Sequence, residues 1–456
     1  MDGNTYDENL LSGILFASSS LSLLYHNINY IYKKQNEKDC KMREFLEKAD
    51  ILLPDFNKVD GSKWAVIACD QFTSEPDYWN EVKSFVGESA SALNLVLPEI
   101  YLEDNRSARV EKINAAMKLY LDTVLCAHEN SMIYLERTDS IGNIRRGVIG
   151  KIDLEDYDYS KDATSLIRAT EGTVLERIPP RVEVRKNAEI ELPHVMLLID
   201  DIKKEGIEKI AERKNDFQKA YDFTLMLGGG KACAYFMDDK AVSDFQSVLN
   251  KLTEGKENPL LFAVGDGNHS LATAKAHYEA LKAELGDAAK EHPARYALAE
   301  VVNIHDDSLG FEPIFRAVFG ADNASLISEL EKYAKETEKA PENSQYPAQS
   351  IHCIYDGKEK DISFAHGSHT LAVGTLQIFL DEYLKSHKEC KIDYIHDESS
   401  LESIAKTENA VGFLFEGMSK SELFAAVSRD GALPRKTFSM GHARDKRYYI
   451  ESRKIK

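Results

Sequence analysis

An alternation of strand-like and helix-like hydrophobic patterns between residues 195 and 285 sets the narrowest limits on the fold. VMLLID is a continuous apolar run, and DIKKEGIEKIAERKN after it repeats apolar residues at helical spacing. The same order of patterns returns in KACAYFMDD and AVSDFQSVLNKLTEG. Strands that alternate with helices are typical of layered folds rather than of all-β sandwiches. We therefore predict an α/β or α+β fold with mixed sheets and flanking helices.

Two further local patterns lie in the first third of the chain. AVIACDQFT, residues 65–73, is typical of a buried strand that ends in a polar loop, and Pro76 and Asp77 then mark the start of a helix. MIYLERT and IRRGVIGKIDL flank a Gly-Asn turn at residues 139–143. Two strand-like runs around such a turn predict a β-hairpin.

The length of 456 residues predicts two or three subdomains, each with its own core. We expect an N-terminal α+β region over residues 42–190, a central α/β region over 191–335 and a smaller C-terminal α/β region over 350–456. A connection rich in Pro, Asn, Ser and Gln precedes the last region. Residues 1–41 are interpreted as an extension outside the folded protein, because Met42 opens a natural start.

Charge and composition exclude several classes of partner. The formal net charge of −19 argues against nucleic acid and against anionic lipid, so an anionic ligand needs a local basic pocket. Six cysteines without zinc-site spacing fit a reducing cytoplasm. The apolar residues 10–25 follow acidic residues and are interrupted by serines, so neither a signal peptide nor stable membrane insertion is expected.

The segment FAVGDGNHSLATAKAHY, residues 262–278, predicts a strand, a tight turn and a helix. Gly265 and Gly267 allow a sharp exit from the strand, and Asn268 or Ser270 is expected to cap the helix. The free N–H groups of the first helical turn would then face the carboxyl end of the strand, where phosphates and carboxylates are commonly held. An ordinary sharp turn has the same composition, so a purely structural interpretation stays open.

Two side chains of this turn could take part in chemistry. Asp266 suits a magnesium ligand or a base. His269 suits a hydrogen-bond donor or a proton carrier. Both would flank the space in front of the helix, which makes the turn the first candidate for an anion-binding centre.

Basic residues are concentrated in residues 168–186, although the chain as a whole is acidic. This segment has five basic and three acidic residues, and a Pro-Pro pair stiffens its middle. Arg168, Arg177 and Arg181 are therefore candidates for holding a phosphate or carboxylate, which arginine recognises with paired hydrogen bonds. Glu171 is either a poised carboxylate or one half of an ordinary surface salt bridge.

A second basic segment ends the chain. From Arg435 onward there are eight Lys or Arg residues and two acidic residues. A solvated tail would have the same charge. The apolar residues interleaved with these charges, among them Phe438 and Tyr448, predict a folded segment instead. Arg435 and Lys436 are therefore expected in the wall of a pocket.

Five motifs together resemble those of a bacterial and archaeal family of unknown function, DUF1015: GDGNHSLATA, LIRATEGT, IPPRVEV, EPIFR and LPRKTF. The resemblance runs in the same order from about residue 53 to the C-terminus. The family's Asp-Gly-His-His-Arg element stands here as residues 266–270, and its Arg-x-His-Glu element as residues 168–171. Its Pro-Thr-His-Arg element ends here at Arg316. One histidine of each element is replaced in this chain, and so is the arginine that ends the first element, where Ser270 stands.

The Asp-Gly-His-His-Arg element is also similar to the phosphate-binding motif of the ParB/sulfiredoxin-like superfamily, which includes nucleotide-dependent free serine kinases. This second resemblance implies nucleotide or phosphometabolite chemistry. It implies Mg²⁺ and an adenine nucleotide as the cofactors, with Asp266 as the magnesium ligand.

The first functional hypothesis is an enzyme that transfers a phosphoryl group to or from a small metabolite, such as serine or phosphoserine. Glu171 or His269 would move the proton and Asp266 would bind magnesium. Phosphate oxygens would be held by the loop 265–270 and by Arg168, Arg181 and Arg316. The alternative is a non-catalytic sensor of a nucleotide or phosphometabolite, which the replaced histidines favour. A partner-binding protein without a small-molecule site is the third hypothesis.

Overall fold

Strands and helices combine into a mixed α/β fold, which confirms the predicted fold class. A computed structural model describes residues 42–337, 346–407, 409–441 and 443–456. Residues 45–456 belong to one unit. The extension predicted for residues 1–41 and the apolar run within it lie outside the described residues.

The strands are short, and many of them pair with distant parts of the chain. In chain order they are β1 (Ala49–Pro54), β2 (Val66–Ile67), β3 (Leu125–Ser131), β4 (Ile133–Thr138), β5 (Ile144–Asp153), β6 (Tyr157–Asp158), β7 (Ile167–Ala169), β8 (Ile190–Glu191), β9 (Met196–Ile199), β10 (Gln218–Thr224), β11 (Lys231–Phe236), β12 (Phe262–Asp266), β13 (Tyr296–Asn303), β14 (Phe311–Pro313), β15 (Phe315–Phe319), β16 (Gln349–Tyr355), β17 (Lys358–Phe364), β18 (Lys391–Ile395), β19 (Ala410–Leu414), β20 (Phe438–Met440), β21 (Tyr448–Tyr449) and β22 (Arg453–Lys454).

The helices pack on the faces of the sheets. They are α1 (Gly61–Trp64), α2 (Pro76–Val86), α3 (Arg106–Thr123), α4 (Ile178–Lys186), α5 (Ile207–Glu212), α6 (Asp239–Thr253), α7 (Asn268–Leu285), α8 (Asn323–Thr337), α9 (Ala372–Ser386), α10 (Glu398–Thr407) and α11 (Glu422–Asp430).

The larger sheet of the described residues has nine strands in the order β10-β11-β4-β5-β13-β9-β12-β7-β6. Alternate residues of its strands enter different cores, as the two-residue period of a strand requires. Leu197 packs in the core that also contains Leu271 and Tyr278 of α7, whereas its neighbour Leu198 packs in the core of the smaller sheet. That smaller sheet has the order β17-β16-β19-β15-β18.

The larger sheet brings the carboxyl ends of two separate strands together. β7 pairs in parallel with β12, with Ala169 opposite Val264. β9 runs antiparallel to β12, with Met196 opposite Asp266. Because parallel strands end at the same edge, the residues that follow β7 lie beside the turn that follows β12.

Several local predictions are confirmed and two elements are shorter than predicted. β4 and β5 form the hairpin around residues 139–143. The strand expected over residues 65–73 is paired only at β2, whose partner β21 has two residues. The helix expected over residues 201–215 is limited to α5, because Asp201 Oδ2 accepts a hydrogen bond from Gly206 N (2.7 Å) and holds the preceding residues in a turn.

The last residues of the chain return to its earlier parts. β20 pairs with β14, β21 with β2, and β22 with β8. The basic C-terminal segment is therefore folded where the structure describes it, as its apolar residues predict. The boundaries proposed for the three regions stay a prediction.

Membrane-spanning helices and the state of the cysteines can be assessed within the described ranges. No helix there combines the length and the apolar character needed to cross a bilayer. The five cysteines in this part of the chain are free thiols.

Candidate functional site

The turn after β12 depends on the absence of side chains at two glycines. Gly267 has a φ of 79°, a left-handed conformation that glycine adopts without strain. A Cβ atom at Gly267 would lie 3.1 Å from Val195 Cα, and one at Gly265 would lie 2.8 Å from Leu198 Cγ. Both glycines therefore shape the turn, which brings the start of α7 close to the sheet edge.

The N-terminus of α7 has no side-chain cap. Its N-cap residue is Gly267, so the prediction that Asn268 or Ser270 caps the helix is wrong. The Asn268 side chain instead joins the two strands: its Oδ1 accepts from Thr170 N (3.3 Å), and its Nδ2 donates to Val264 O (3.5 Å). The first-turn N–H groups are thus left for another acceptor, and Ser270 lies in the same turn.

Two carboxylates from different strands meet at this turn. Glu171 follows β7 and Asp266 ends β12. Burial first, and then the negative charge of Asp266, raises the pKa of Glu171 above its usual value. Asp266 Oδ1 accepts from Gly267 N (2.9 Å), and its Oδ2 lies 3.4 Å from Lys446 Nζ. A partly buried carboxyl with a raised pKa beside a second, ion-paired one is an arrangement that suits proton transfer.

Positive charges surround the turn on two sides. Arg177 and Arg181 line it from the start of α4, and Lys436 lines it from the C-terminal segment. Arg181 is oriented by Glu99, which it contacts through Nε at 3.1 Å and also through Nη2, and its Nη1 donates to Arg177 O (2.7 Å). These cations and the first turn of α7 form a local basic surface in an acidic protein.

His269 is neutral at pH 7. Burial, followed by the charges of Arg181 and Arg177, lowers its pKa to about 4. Its Nε2 accepts a hydrogen bond from Val174 N (3.3 Å). The neutral ring therefore carries its proton on Nδ1, which is suited to donating a hydrogen bond. Arg435 also acts on His269 through its charge, which places it within electrostatic reach of the turn.

One cavity of about 810 Å³ collects most of these groups. Its polar part contains the turn, the two carboxylates and three of the cations: Arg177, Arg181 and Lys436. Its remaining wall is mostly apolar and includes Leu95, Leu97, Met117, Val184, Ile190 and Leu192. A cavity of this size in which polar groups converge beside apolar walls suits a small polar ligand.

One polar cluster of this cavity was not predicted from the sequence. It consists of Cys69, Asp70, His194 and Tyr449. His194 Nδ1 lies 2.9 Å from the hydroxyl of Tyr449, and that hydroxyl donates to Cys69 Sγ (3.0 Å). His194 Nε2 lies 3.6 Å from Asp70 Oδ2. Asp70 could have been predicted as a site residue, because it lies in the polar loop that ends the strand-like run 65–73. The sequence around His194 contains no pattern that predicts a site.

Asp70 and His194 influence each other's protonation through their charges. Burial acts against both ions, but the negative charge of Asp70 raises the pKa of His194, and the charge of His194 lowers that of Asp70. Burial raises the pKa of Cys69 to about 12, which keeps the thiol protonated. Cys69 is therefore no nucleophile at neutral pH.

The structure corrects the position expected for Arg168. Arg168 lines a separate cavity of about 670 Å³ and does not line the one that contains Asp266. The guanidinium donates to carbonyl oxygens at distances of 2.6 to 3.1 Å: those of Ser165, Thr164 and Asn258. The Arg168 guanidinium therefore binds main-chain oxygens, whereas the sequence predicted that it would bind phosphate oxygens.

The structure also corrects the position expected for Arg316. This residue is fully buried on β15. Its guanidinium donates to the carbonyl oxygens of Lys436 (2.9 Å) and Arg435 (3.0 Å). Arg316 therefore lies beneath the loop that carries two cations of the site and does not line the cavity.

The donor groups permit only a partial metal site. Within the described ranges, no group of three or more His, Cys, Asp and Glu residues has a geometry that could hold a metal ion. Mg²⁺ is commonly held by one or two carboxylates together with water and phosphate oxygens. Asp266 fits such a site when a phosphorylated ligand supplies the other oxygens.

Several solved structures are similar to this chain at low identity. A conserved hypothetical protein from Pyrococcus furiosus is 13% identical, with a TM-score of 0.34 over 66% of this chain and 94% of that one. A free serine kinase in complex with AMP is 12% identical, with a TM-score of 0.35 and coverages of 67% and 92%. SbnI from Staphylococcus aureus with a C-terminal truncation is 10% identical, with a TM-score of 0.33 and coverages of 64% and 82%. Likenesses of this strength carry no argument about function.

The sequence itself has a clear family relationship. No curated protein sequence matches the chain. One family model matches residues 54–383, which is more than half of the chain and contains β7, β12 and the turn before α7. The chain therefore belongs to the family described as "Protein of unknown function (DUF1015)".

Proposed function

We propose that this protein transfers a phosphoryl group between an adenine nucleotide and the hydroxyl group of a small metabolite, such as serine. The observation that carries the proposal is the single cavity in which an uncapped helix N-terminus faces two carboxylates and several cations. An uncapped N-terminus with nearby cations suits phosphate oxygens. The adjacent carboxylates suit proton transfer from a hydroxyl group.

The phosphate oxygens bind the N–H groups of residues 268–270, with Arg181 and Lys436 on either side. Arg181 is held by Glu99 and thus needs little reorganisation on binding. The neutral His269 adds a hydrogen bond from Nδ1, because its Nε2 already accepts from Val174. Catalysis of phosphoryl transfer consists largely of such positioning and charge stabilisation.

Glu171 acts as the base in this proposal. The hydroxyl proton of the metabolite passes to its carboxylate, the hydroxyl oxygen forms a bond to phosphorus, and the bond from phosphorus to the nucleotide's leaving oxygen breaks. The raised pKa of Glu171 makes its ionised form a better proton acceptor than an ordinary carboxylate. Asp266 and phosphate oxygens would hold Mg²⁺, which supplies charge neutralisation when it is bound.

The test begins with binding. Pyrophosphate, AMP, ADP, ATP, serine and phosphoserine are added singly, with and without Mg²⁺, and thermal unfolding is followed. A ligand at ~100 times its dissociation constant stabilises the fold by about 2.7 kcal/mol. We expect stabilisation by a phosphorylated ligand. Absence of any shift would contradict both the enzyme and the sensor proposals and would favour a partner-binding protein.

Turnover then tests the chemistry. Phosphorus NMR follows conversion of the nucleotide in the presence of serine. Glu171→Gln is expected to lower the rate by about 10²- to 10⁴-fold with little change in nucleotide affinity, because it removes only the base. Glu88→Gln, at an exposed carboxylate outside the cavity, is the matched control and keeps the wild-type rate. An unchanged rate in Glu171→Gln would remove Glu171 from the mechanism.

A second candidate function is a non-catalytic sensor for the same anion. It is favoured by His269, whose Nε2 is engaged by the backbone and whose pKa is lowered to about 4, so that the ring is poorly suited to shuttling protons at pH 7. A sensor binds its ligand and releases it unchanged. Binding without conversion of any nucleotide and acceptor pair would therefore select this function.

A further inference from the structure

Arg316 is a buried cation whose hydrogen bonds go to uncharged oxygens. It is 0% exposed. Its Nε donates to Gln377 Oε1 (3.2 Å), and its terminal nitrogens donate to the carbonyls of Ile314, Arg435 and Lys436. Within the described residues, no carboxylate lies within ion-pair distance of it. A buried charge without a close counter-ion is costly, so its surroundings must compensate for lost hydration.

The compensation comes from two sources that meet at Arg316. The rings of Tyr394 and Phe415 lie 5.1 and 5.7 Å from its guanidinium carbon, within the range of cation–π attraction. The carbonyls of two successive residues, Arg435 and Lys436, supply oxygen acceptors. The guanidinium thus links a strand of the smaller sheet to the loop 433–437.

The opposite side of the same loop contacts the cavity. Leu433 N donates to Thr170 O (2.8 Å), and Leu433 forms an isolated parallel bridge with Glu171. Lys436 lines the cavity. Lys436 has a φ of 52°, a left-handed conformation that is strained for a residue other than glycine. Such a conformation persists only when its surroundings enforce it. Arg316 holds the carbonyl of this residue, and the contacts of Leu433 with Thr170 and Glu171 hold the start of the loop.

We propose that Arg316 is a positioning residue, which fixes the loop 433–437 so that Lys436 faces the anion in the cavity that Glu171 also lines. The part of this inference that concerns the anion rests on the proposed function. The part that concerns the loop does not depend on any ligand. The two parts therefore need two measurements.

The first measurement is amide hydrogen exchange of residues 433–437 in the full-length protein without ligand. Arg316→Met removes the donors and keeps an apolar side chain, and we expect exchange of this loop to become about tenfold faster or more. Arg168→Met is the matched control, because Arg168 is also a buried arginine that donates to three carbonyls, but at another cavity. Wild-type exchange of the loop in Arg316→Met, or equal acceleration in Arg168→Met, would overturn the proposal.

The second measurement is the affinity for pyrophosphate by calorimetry. We expect Arg316→Met to weaken binding by about tenfold and Arg168→Met to leave it unchanged. Arg316→Lys keeps a charge and three donors, so it should recover part of both the affinity and the exchange protection, and it serves as the test variant if Arg316→Met does not fold. Equal affinity in all variants would overturn the role in binding. If wild-type protein fails to bind pyrophosphate, the proposed function fails, while the exchange data still decide whether Arg316 fixes the loop.

Discussion

The two walls of the cavity are built in opposite ways. One, the turn wall, consists of residues 264–274 and is continuous in sequence. The other, the C-terminal wall, consists of Lys436 and Tyr449, and distant partners hold the chain around them: Arg316 beneath the loop 433–437, and Glu300, which accepts from Arg447 Nη1 at 2.7 Å. The turn wall depends on local backbone conformation, whereas the C-terminal wall depends on buried polar contacts across the molecule. Substitutions far from the cavity should therefore damage the C-terminal wall most.

The largest effect is expected from Arg447→Met. Arg447 is 3% exposed and donates to Glu300 and Glu451, both fully buried, at 2.7 Å each. Breaking a buried ion pair leaves a charge without its partner, which costs about 3–5 kcal/mol in the free energy of unfolding. Urea unfolding measures this loss.

An exposed ion pair is the control for Arg447→Met. Lys385 lies 2.9 Å from Glu382, and both side chains are largely exposed. Lys385→Met should change the free energy of unfolding by less than about 1 kcal/mol. Similar losses in the two variants would show that buried contacts are not what holds the C-terminal wall.

A smaller effect is expected from Gly267→Ala in the turn wall. Its left-handed φ makes a side chain cost about 1–2 kcal/mol, and the new Cβ would lie 3.1 Å from Val195 Cα. We expect the start of α7 to shift and the affinity for pyrophosphate to fall about tenfold. Thermal unfolding and calorimetry measure the two changes.

The control for this substitution lies at the other end of α7. Gly286 also has a positive φ, 57°, and a Cβ atom there would meet nothing within 4 Å. Gly286→Ala should cost at least as much stability, because its ψ of −131° adds to the strain of a side chain, but it should have no effect on pyrophosphate. Equal loss of affinity in both variants would mean that general destabilisation, rather than the turn, controls binding.

The smallest effect is expected from the titration of His269. Its pKa is lowered from 6.5 to about 4 in the folded protein. Between these pH values the unfolded chain binds a proton that the folded protein does not, so stability is lost as the pH falls from 6.5 towards 4. Allowing for solvent screening of this partly exposed group, His269→Gln should recover about 1 kcal/mol at the lower pH. Unfolding free energies at several pH values measure the recovery.

His277, on the same helix, is the reference for the titration of His269. His277 is 5% exposed, and burial, followed by the charge of Arg185, lowers its pKa to about 4 as well. An anion bound in front of α7 should raise the pKa of His269 and leave that of His277 unchanged, because only His269 lies in the first turn. NMR titration of both rings with and without pyrophosphate separates the two. Equal responses would place the anion elsewhere.

Prediction from sequence succeeded where neighbouring residues determine the structure. The hairpin around residues 139–143, α6 and the strand before the turn at Gly265 all follow from hydrophobic period and turn residues. It failed for the positions of Arg168 and Arg316, because the donors of a guanidinium can also be satisfied by backbone carbonyls. Charge composition does not distinguish these partners.

Local sequence alone specified the strand, the glycine turn and the long helix behind it, because φ angles and side-chain periodicity act over a few residues. Tertiary structure alone decided which groups face that turn. The parallel pairing of β7 with β12 brings Glu171 to Asp266, and the return of the C-terminal segment brings Lys436 and Lys446 to the same edge. Such pairings join residues more than ninety positions apart, and their register depends on the packing of the whole sheet rather than on any short segment.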